Sequence, residues 1–448
     1  DLPCWSSPQT EASGYKLGGH PTMSLSPMTM FDKFYKWDHA ADPQAWATIN
    51  VGNEVMVPGR GYAVRAPQNY STDPSTVQNY TATFIGIPNN GLVEHAVTGG
   101  TDKWNLIGNP YPSALDIEKF LLENRNLLEG TVYLWTHNSP LSQYQYTAHD
   151  YATFNFTGPV STKPSASPGS NTNTPTQYVA SGQSFFVKGI ASGNVVYHNG
   201  MREKAHNHTF FRPANTTPVQ NWDMTGKHRI WLNIFNTQGA FNQTLVGYME
   251  NATNGLDWGY DGERFSGNHV ALYSLLDQKE LTIQGRALPF NNQDIIPMGY
   301  NNTLTGTLQI GLDHVDGIFE GQDIFLEDLT LNVTHNLKDS AYSFNAVPGT
   351  FNDRFVLKFV NTNLGTETPE AVANGVLVYN NKGEINIKST FENIQDVTVY
   401  DLLGRAVFES KNNSQKQFSA SNIVMNEQVL IVKVTLENGA VVSKKIVY

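Results

Sequence analysis

Apolar and polar residues alternate with a period of two in short runs along most of this chain, the pattern of strands that bury one face of a sheet. The clearest run is near the end, where Leu430, Val432, Val434 and Leu436 fall on one face of a single strand. Before it, Val397 and Val399 are joined to Ala406 and Phe408 by Asp401-Leu402-Leu403-Gly404, a hairpin loop in which Gly404 is free to take positive φ. After it, Asn438-Gly439 predicts a type I′ turn into a last strand that closes on Lys444-Lys445-Ile446-Val447-Tyr448. A strand in that place is a sheet edge, whose unpaired N–H and C=O groups can pair with another protein.

Residues 219–361 carry the same alternation. Strands are predicted over 228–235, 244–249, 269–275, 281–287, 305–312, 323–326, 330–336, 341–346 and 354–360. Turn residues separate them at intervals of about 8–12 residues, as in sandwiches and jelly rolls. Residues 362–373 have the composition of a linker, which sets 374–448 apart as a domain of its own.

Residues 1–218 read as an aromatic-rich β domain with a weak internal repeat. Gly59-Arg60-Gly61-Tyr62-Ala63-Val64-Arg65 aligns with Gly182-Gln183-Ser184-Phe185-Phe186-Val187-Lys188, and Phe34-Tyr35-Lys36-Trp37 aligns with Val132-Tyr133-Leu134-Trp135. Two such copies can pack as halves of one sandwich or as paired modules. Between them a helix is predicted over 114–123, capped by Ser113, with Leu115, Ile117, Phe120 and Leu121 on its apolar side. Residues 159–176, rich in Pro, Ser, Thr and Asn, read as an exposed loop. The predicted architecture is all-β: tandem sandwich or jelly-roll-like domains with one short helix, ending in a small immunoglobulin-like sandwich.

Composition sharpens this picture only in places. Gly 37, Pro 22, Tyr 20 and Phe 23 with 15% charged residues suit a turn-rich β chain. No apolar run is long enough for a transmembrane helix. The formal net charge of -11, with no basic stripe, argues against nucleic acid as a partner. A single cysteine, Cys4, leaves no internal disulfide framework. The opening, without Met or an apolar leader, reads as entered in mid-domain and predicts a longer protein with a removed signal peptide.

Candidate chemistry is sparse. Asp257, Asp261 and Glu263, on a loop with Gly262 directly after Asp261, are the best calcium candidates, because hard cations take several oxygens from a tight turn. The loop lacks the position-three and position-twelve ligands of an EF-hand. Asp313-His314-Val315-Asp316-Gly317 is a weaker calcium candidate. His206-Asn207-His208 would put two imidazoles on one side of an extended strand, and zinc needs three or four ligands. No nucleophile elbow, P-loop or dinucleotide fingerprint occurs, so the chain is read as non-enzymatic.

One family resemblance stands out. Tyr400-Asp401-Leu402-Leu403-Gly404-Arg405, then Asn438-Gly439 and Lys444-Lys445-Ile446-Val447-Tyr448, resembles the C-terminal sorting domain of type IX secretion cargo in Bacteroidetes. The variant is similar to the type C signal of flavobacterial surface proteins and chitinases, and it covers about the last 80 residues. The resemblance implies an export address resting on Tyr400, Asp401, Gly404, Arg405, Gly439, Lys444 and Lys445, with the two lysines solvated or facing acidic groups. It implies as partners the shuttle barrel PorV and the translocon SprA, and as location the cell surface or medium. Residues 219–361 resemble modules that precede such domains. Asp339-Ser340-Ala341 resembles the O-glycosylation site of exported Bacteroidetes proteins, with Ser340 as acceptor. The expected function is an exported adhesin-like or structural surface protein without a cofactor, calcium being the one candidate ion. The alternative is the non-catalytic, carbohydrate-binding end of a larger polysaccharide hydrolase, and surface glycans are candidate ligands under both.

Overall fold

A computed structural model of the protein describes residues 4–71, 80–136, 150–162, 174–207, 226–361, 375–381, 384–390, 392–421, 423, 428–437 and 439–447. The fold is all-β, with a single α-helix among the described residues.

The first copy of the repeat contributes β1 (Cys4–Trp5), β2 (Phe34–Asp38), β3 (Ala45–Thr48) and β4 (Tyr62–Val64). Then come β5 (Val93–Val97), β6 (Trp104–Gly108), β7 (Ala114–Asp116) and α1 (Ile117–Glu123). The second copy adds β8 (Leu128–Trp135), β9 (Tyr151–Phe154), β10 (Pro159–Val160), β11 (Tyr178–Val179) and β12 (Ser184–Gly189). The region ends with β13 (Gly193–Tyr197) and β14 (Arg202–Glu203).

The two copies build their sheets in the same strand order, β1-β4-β2-β3 and β6-β12-β8-β9, with β10 added to the second. Register agrees residue by residue. Tyr35 opposes Ala63 where Tyr133 opposes Phe186, Trp37 opposes Trp46 where Trp135 opposes Tyr151, and Trp5 opposes Tyr62 where Ile107 opposes Phe185. The copies then join reciprocally: the Ser6 N–H donates to the Gly182 carbonyl at 2.7 Å, and the Gly108 N–H donates to the Gly59 carbonyl at 3.0 Å. Their tryptophans cross over as well. Trp135 packs on Cys4, Ala63 and Tyr35 of the first copy, while Trp37 packs on Leu106, Tyr133 and Phe186 of the second. Each sheet's other face is covered by its own cluster, α1 lying over the second.

The helix is shorter than expected. Leu115 pairs with Val179 and with Arg202 in a small sheet, so residues 114–116 are strand. The cap is therefore Asp116, not Ser113: its carboxylate accepts from the Glu118 and Lys119 N–H groups. Residues 159 and 160, expected in a loop, form β10, and 163–173 lie outside the described residues.

The middle region comprises β15 (Lys227–Phe235), β16 (Phe241–Met249), β17 (Gly262–Glu263), β18 (Val270–Leu276), β19 (Lys279–Ala287) and β20 (Ile295–Asn302). It continues with β21 (Gly306–Val315), β22 (Phe325–Asp328), β23 (Val333–Asn336), β24 (Tyr342–Ala346) and β25 (Gly349–Lys358). These form one sheet in the order β23-β22-β25-β20-β18-β19-β16-β15-β21-β24, with β17 on β19. Strands from both ends of that order share one core. Leu326 of β22 and Phe344 of β24 belong to it together with Leu232, Tyr248, Met298 and Phe355, so the sheet folds over on itself.

β20 is a strand that the sequence pattern does not predict, because Pro297 and Gly299 break its alternation. Pro297 sits one residue past the end of the pairing with β18, so only one neighbouring strand has to accommodate its missing N–H. The change of region near residue 218 is a change of sheet, and many bonds cross it. Trp258 Nε1 donates to the Leu128 carbonyl (2.7 Å), Thr157 Oγ1 to that of Tyr260 (2.6 Å) and Trp231 Nε1 to that of Pro159 (2.7 Å). Buried Arg229 donates to the Thr157 carbonyl and forks onto Asp316 at 2.6 and 2.8 Å.

The last domain holds β26 (Val376–Asn381), β27 (Glu384–Ser389), β28 (Ile394–Tyr400), β29 (Ala406–Ser410), β30 (Gln417–Ala420), β31 (Val429–Leu436) and β32 (Val441–Val447). Two sheets, β26-β27-β30 and β29-β28-β31-β32, enclose a core of Ile385, Ile387, Val397, Val399, Leu430, Val432, Val434 and Leu436. Burying each such side chain stabilises the fold by roughly 1.5–3 kcal/mol. The expected linker, 362–373, lies outside the described residues.

Candidate functional site

The hairpin between β28 and β29 is built around one carboxylate. Asp401 is buried, and its Oδ1 accepts from the Leu403 and Arg405 N–H groups, both at 2.9 Å. Its Oδ2 accepts from Arg405 Nε at 2.7 Å. The Arg405 N–H, followed by its guanidinium and the Leu403 N–H, holds the Asp401 carboxyl below the usual carboxylate range. Gly404 closes the loop at φ 78°, a conformation that costs other residues. The consequence is a fixed loop that holds Leu402 and Leu403 in solvent, 67% and 80% exposed.

Sheet register places further residues beside this loop. Tyr400 opposes Ile431 on β31, and Ile431 opposes Lys445 on β32, so the three lie in one row on one face. Ile431 and Lys445 are exposed there. Of the residues that the resemblance to sorting domains singles out, Tyr400, Asp401, Gly404, Arg405 and Lys445 therefore meet at one end of the sheet. Gly439 does not: it lies in the turn at the opposite end, at φ 83°, and its partner Asn438 is outside the described residues. Of the two lysines, expected to be solvated or to face acidic groups, Lys445 is exposed and Lys444 is half-buried within reach of the Asp294 charge. Lys444 shares the core-facing side of β32 with Val442 and Ile446, and burial pulls its ammonium below the usual lysine range against the opposing pull of Asp294. Sequence reasoning missed Leu402, Leu403 and Ile431. The signal was available, since two adjacent leucines in a turn break the alternation that buries such residues.

The calcium candidates do not converge. Asp257 accepts from the Thr253 N–H and hydroxyl, and Asp261 accepts from the Asp257 N–H (2.6 Å) and the Gly285 N–H (2.9 Å). Glu263 turns away to Lys188 (2.5 Å) and Lys279. Each carboxylate thus serves a local donor, and no group of three or more potential ligands occurs among the described residues. Asp313 likewise accepts from His314 and Asn233, while Asp316 is taken by Arg229. His206 lies in a turn and stacks on Tyr178 at 3.8 Å, which replaces the expected extended strand, and His208 is outside the described residues. Ser340 is exposed just before β24, at the end of the strand order, with its hydroxyl 3.3 Å from His335 Nε2.

An unexpected charge cluster lies where β8 and β12 meet β17 and β19. Burial, then the Glu263 charge, push the Glu129 carboxyl up to about 7, and its Oε2 has no partner among the described residues. Burial also pushes up Glu263, but Lys188 and Lys279 outweigh it and hold that carboxyl low. Asp261 is likewise pushed up to about 7 by burial.

The fold and this site define an all-β chain whose last domain is a small sandwich with a core of its own that presents a fixed apolar hairpin. The chain belongs to the family described as a domain of unknown function (DUF8693), which matches residues 1–359. Residues 364–448 match a second domain of unknown function (DUF8694). No curated protein matches the chain. Among solved structures, a match is to the BSP domain of a biofilm associated protein, at 10% identity and a TM-score of 0.20. That match covers 80% of this chain, and the chain spans 66% of that structure's length.

Proposed function

We propose that the chain is an exported surface protein, adhesin-like or structural, whose last domain is an address for a type IX translocon. The observation that carries this reading is the hairpin at Asp401: residues of the sorting resemblance meet around a loop that is fixed and exposed. An address read on a folded domain needs that combination, because a flexible loop would lose ordering entropy on recognition. The shuttle PorV and the translocon SprA are the partners this reading implies, and the cell surface or medium is the destination. The first region has a non-catalytic role in it. Exposed Trp46, edge-on to Trp37 at 5.5 Å and to Phe186 at 5.8 Å, supports the second reading, a glycan-binding end of a larger hydrolase.

The test is transplantation. Residues 364–448 are fused behind a folded reporter carrying a Sec signal and expressed in a type IX-competent host. The reporter is expected on the surface or in the medium; retention of the fusion in the periplasm would contradict the proposal.

A further inference from the structure

We infer that Leu402 and Leu403, with Ile431 beside them and Arg405 and Lys445 flanking, form the docking surface for a partner protein bearing an apolar pocket with an acidic rim. This rests on the reading of the last domain as an address, and it names the side chains that are read. Leu402 and Leu403 are the two most exposed large apolar side chains among the described residues. They are not loose: three bonds to the Asp401 carboxylate and the backbone bond from the Asp401 N–H to the Arg405 carbonyl (3.0 Å) fix the loop that carries them. Holding two leucines rigidly in water gains nothing within the fold, whereas a preformed apolar knob docks with little ordering cost.

The charges around the knob select the partner. Arg405, paired through Nε with Asp401 at 2.7 Å, is still 70% exposed at its side chain, and Lys445 is exposed at the far end of the Tyr400–Ile431–Lys445 row, where it borders the cleft shared with Asp277 and Gln278 of the middle region. An apolar centre between two cations complements an apolar pocket between carboxylates. A lipid surface fits less well. The row runs onto β32, an edge strand, and open strand edges do not enter hydrocarbon because their backbone groups would go unpaired there.

The test uses the full chain in its own host with the double variant Leu402→Ser/Leu403→Ser. Because both side chains are exposed, the melting temperature is expected to stay within about 2 °C of the parent. Surface-exposed protein is expected to fall by about tenfold or more, as for loss of an apolar anchor. Lys445→Glu is expected to lower it in the same direction. Normal export of the double variant beside a working transplanted address would overturn the knob and leave the address standing. Failure of the transplanted address itself would remove the reading beneath it and the knob with it. Co-sedimentation of the parent chain with anionic phosphatidylglycerol vesicles, lost in the double variant, would overturn the choice of a protein partner.

Discussion

At Gly404 the chain needs a left-handed residue, and the reason is backbone alone. A Cβ placed there would meet nothing within 4 Å, so the cost of another side chain is the strain of φ 78°. That strain is about 1–2 kcal/mol for an ordinary residue, more for a β-branched one, and less for Asn, which tolerates the left-handed region. Gly404→Val is therefore expected to lower the denaturation midpoint of the last domain well below that of Gly404→Asn. Equal midpoints for the two variants would show that the loop does not depend on this conformation. Gly404's role was legible in the sequence, as the break between two alternating runs. The clamp at Asp401 was less so, because what marks it is burial of a carboxylate, and burial is decided by tertiary packing.

At the scale of elements, the pairing of the two copies was legible because aromatic and glycine positions recur in register. β20 was not, since Pro297 and Gly299 mimic a turn. The shortening of the helix was hidden too, because Leu115 is apolar in either structure and its pairing with Val179 and Arg202 joins residues far apart in sequence. The cluster at the junction of the first two regions was invisible for the same reason: Glu129, Lys188, Glu263 and Lys279 come from four strands. Glu129 makes that junction sensitive to pH. Its carboxyl titrates near 7 in the folded chain and near 4.5 otherwise, so the folded state holds the proton more tightly. The resulting stability is present below the lower value and is lost as pH rises through about 7. Glu129→Gln keeps the shape and cannot ionise. It is expected to stabilise the chain at pH 8 by roughly 1–2 kcal/mol, a figure reduced for partial solvent screening, with little effect at pH 5. Thermal melts at the two pH values check this, and an equal shift at both would contradict it.

For the whole molecule, one family covers residues 1–359 and a second begins at 364. The first two regions share tryptophan, arginine and threonine contacts across their junction, and the last domain, which has a core of its own, is tied to the middle region by Lys388 and Tyr379 on Asp353 (both 3.1 Å) and by Gln278 on the Val447 carbonyl (2.8 Å). A domain with an independent core and an exposed rigid hairpin is suited to being read separately from the part it carries. The most direct test is protease shaving of intact cells that express the chain with and without residues 364–448. Only the chain with those residues is expected to be cut at the surface, the shortened one remaining protected inside. Equal cutting of both would contradict this and reduce the last domain to one more sandwich.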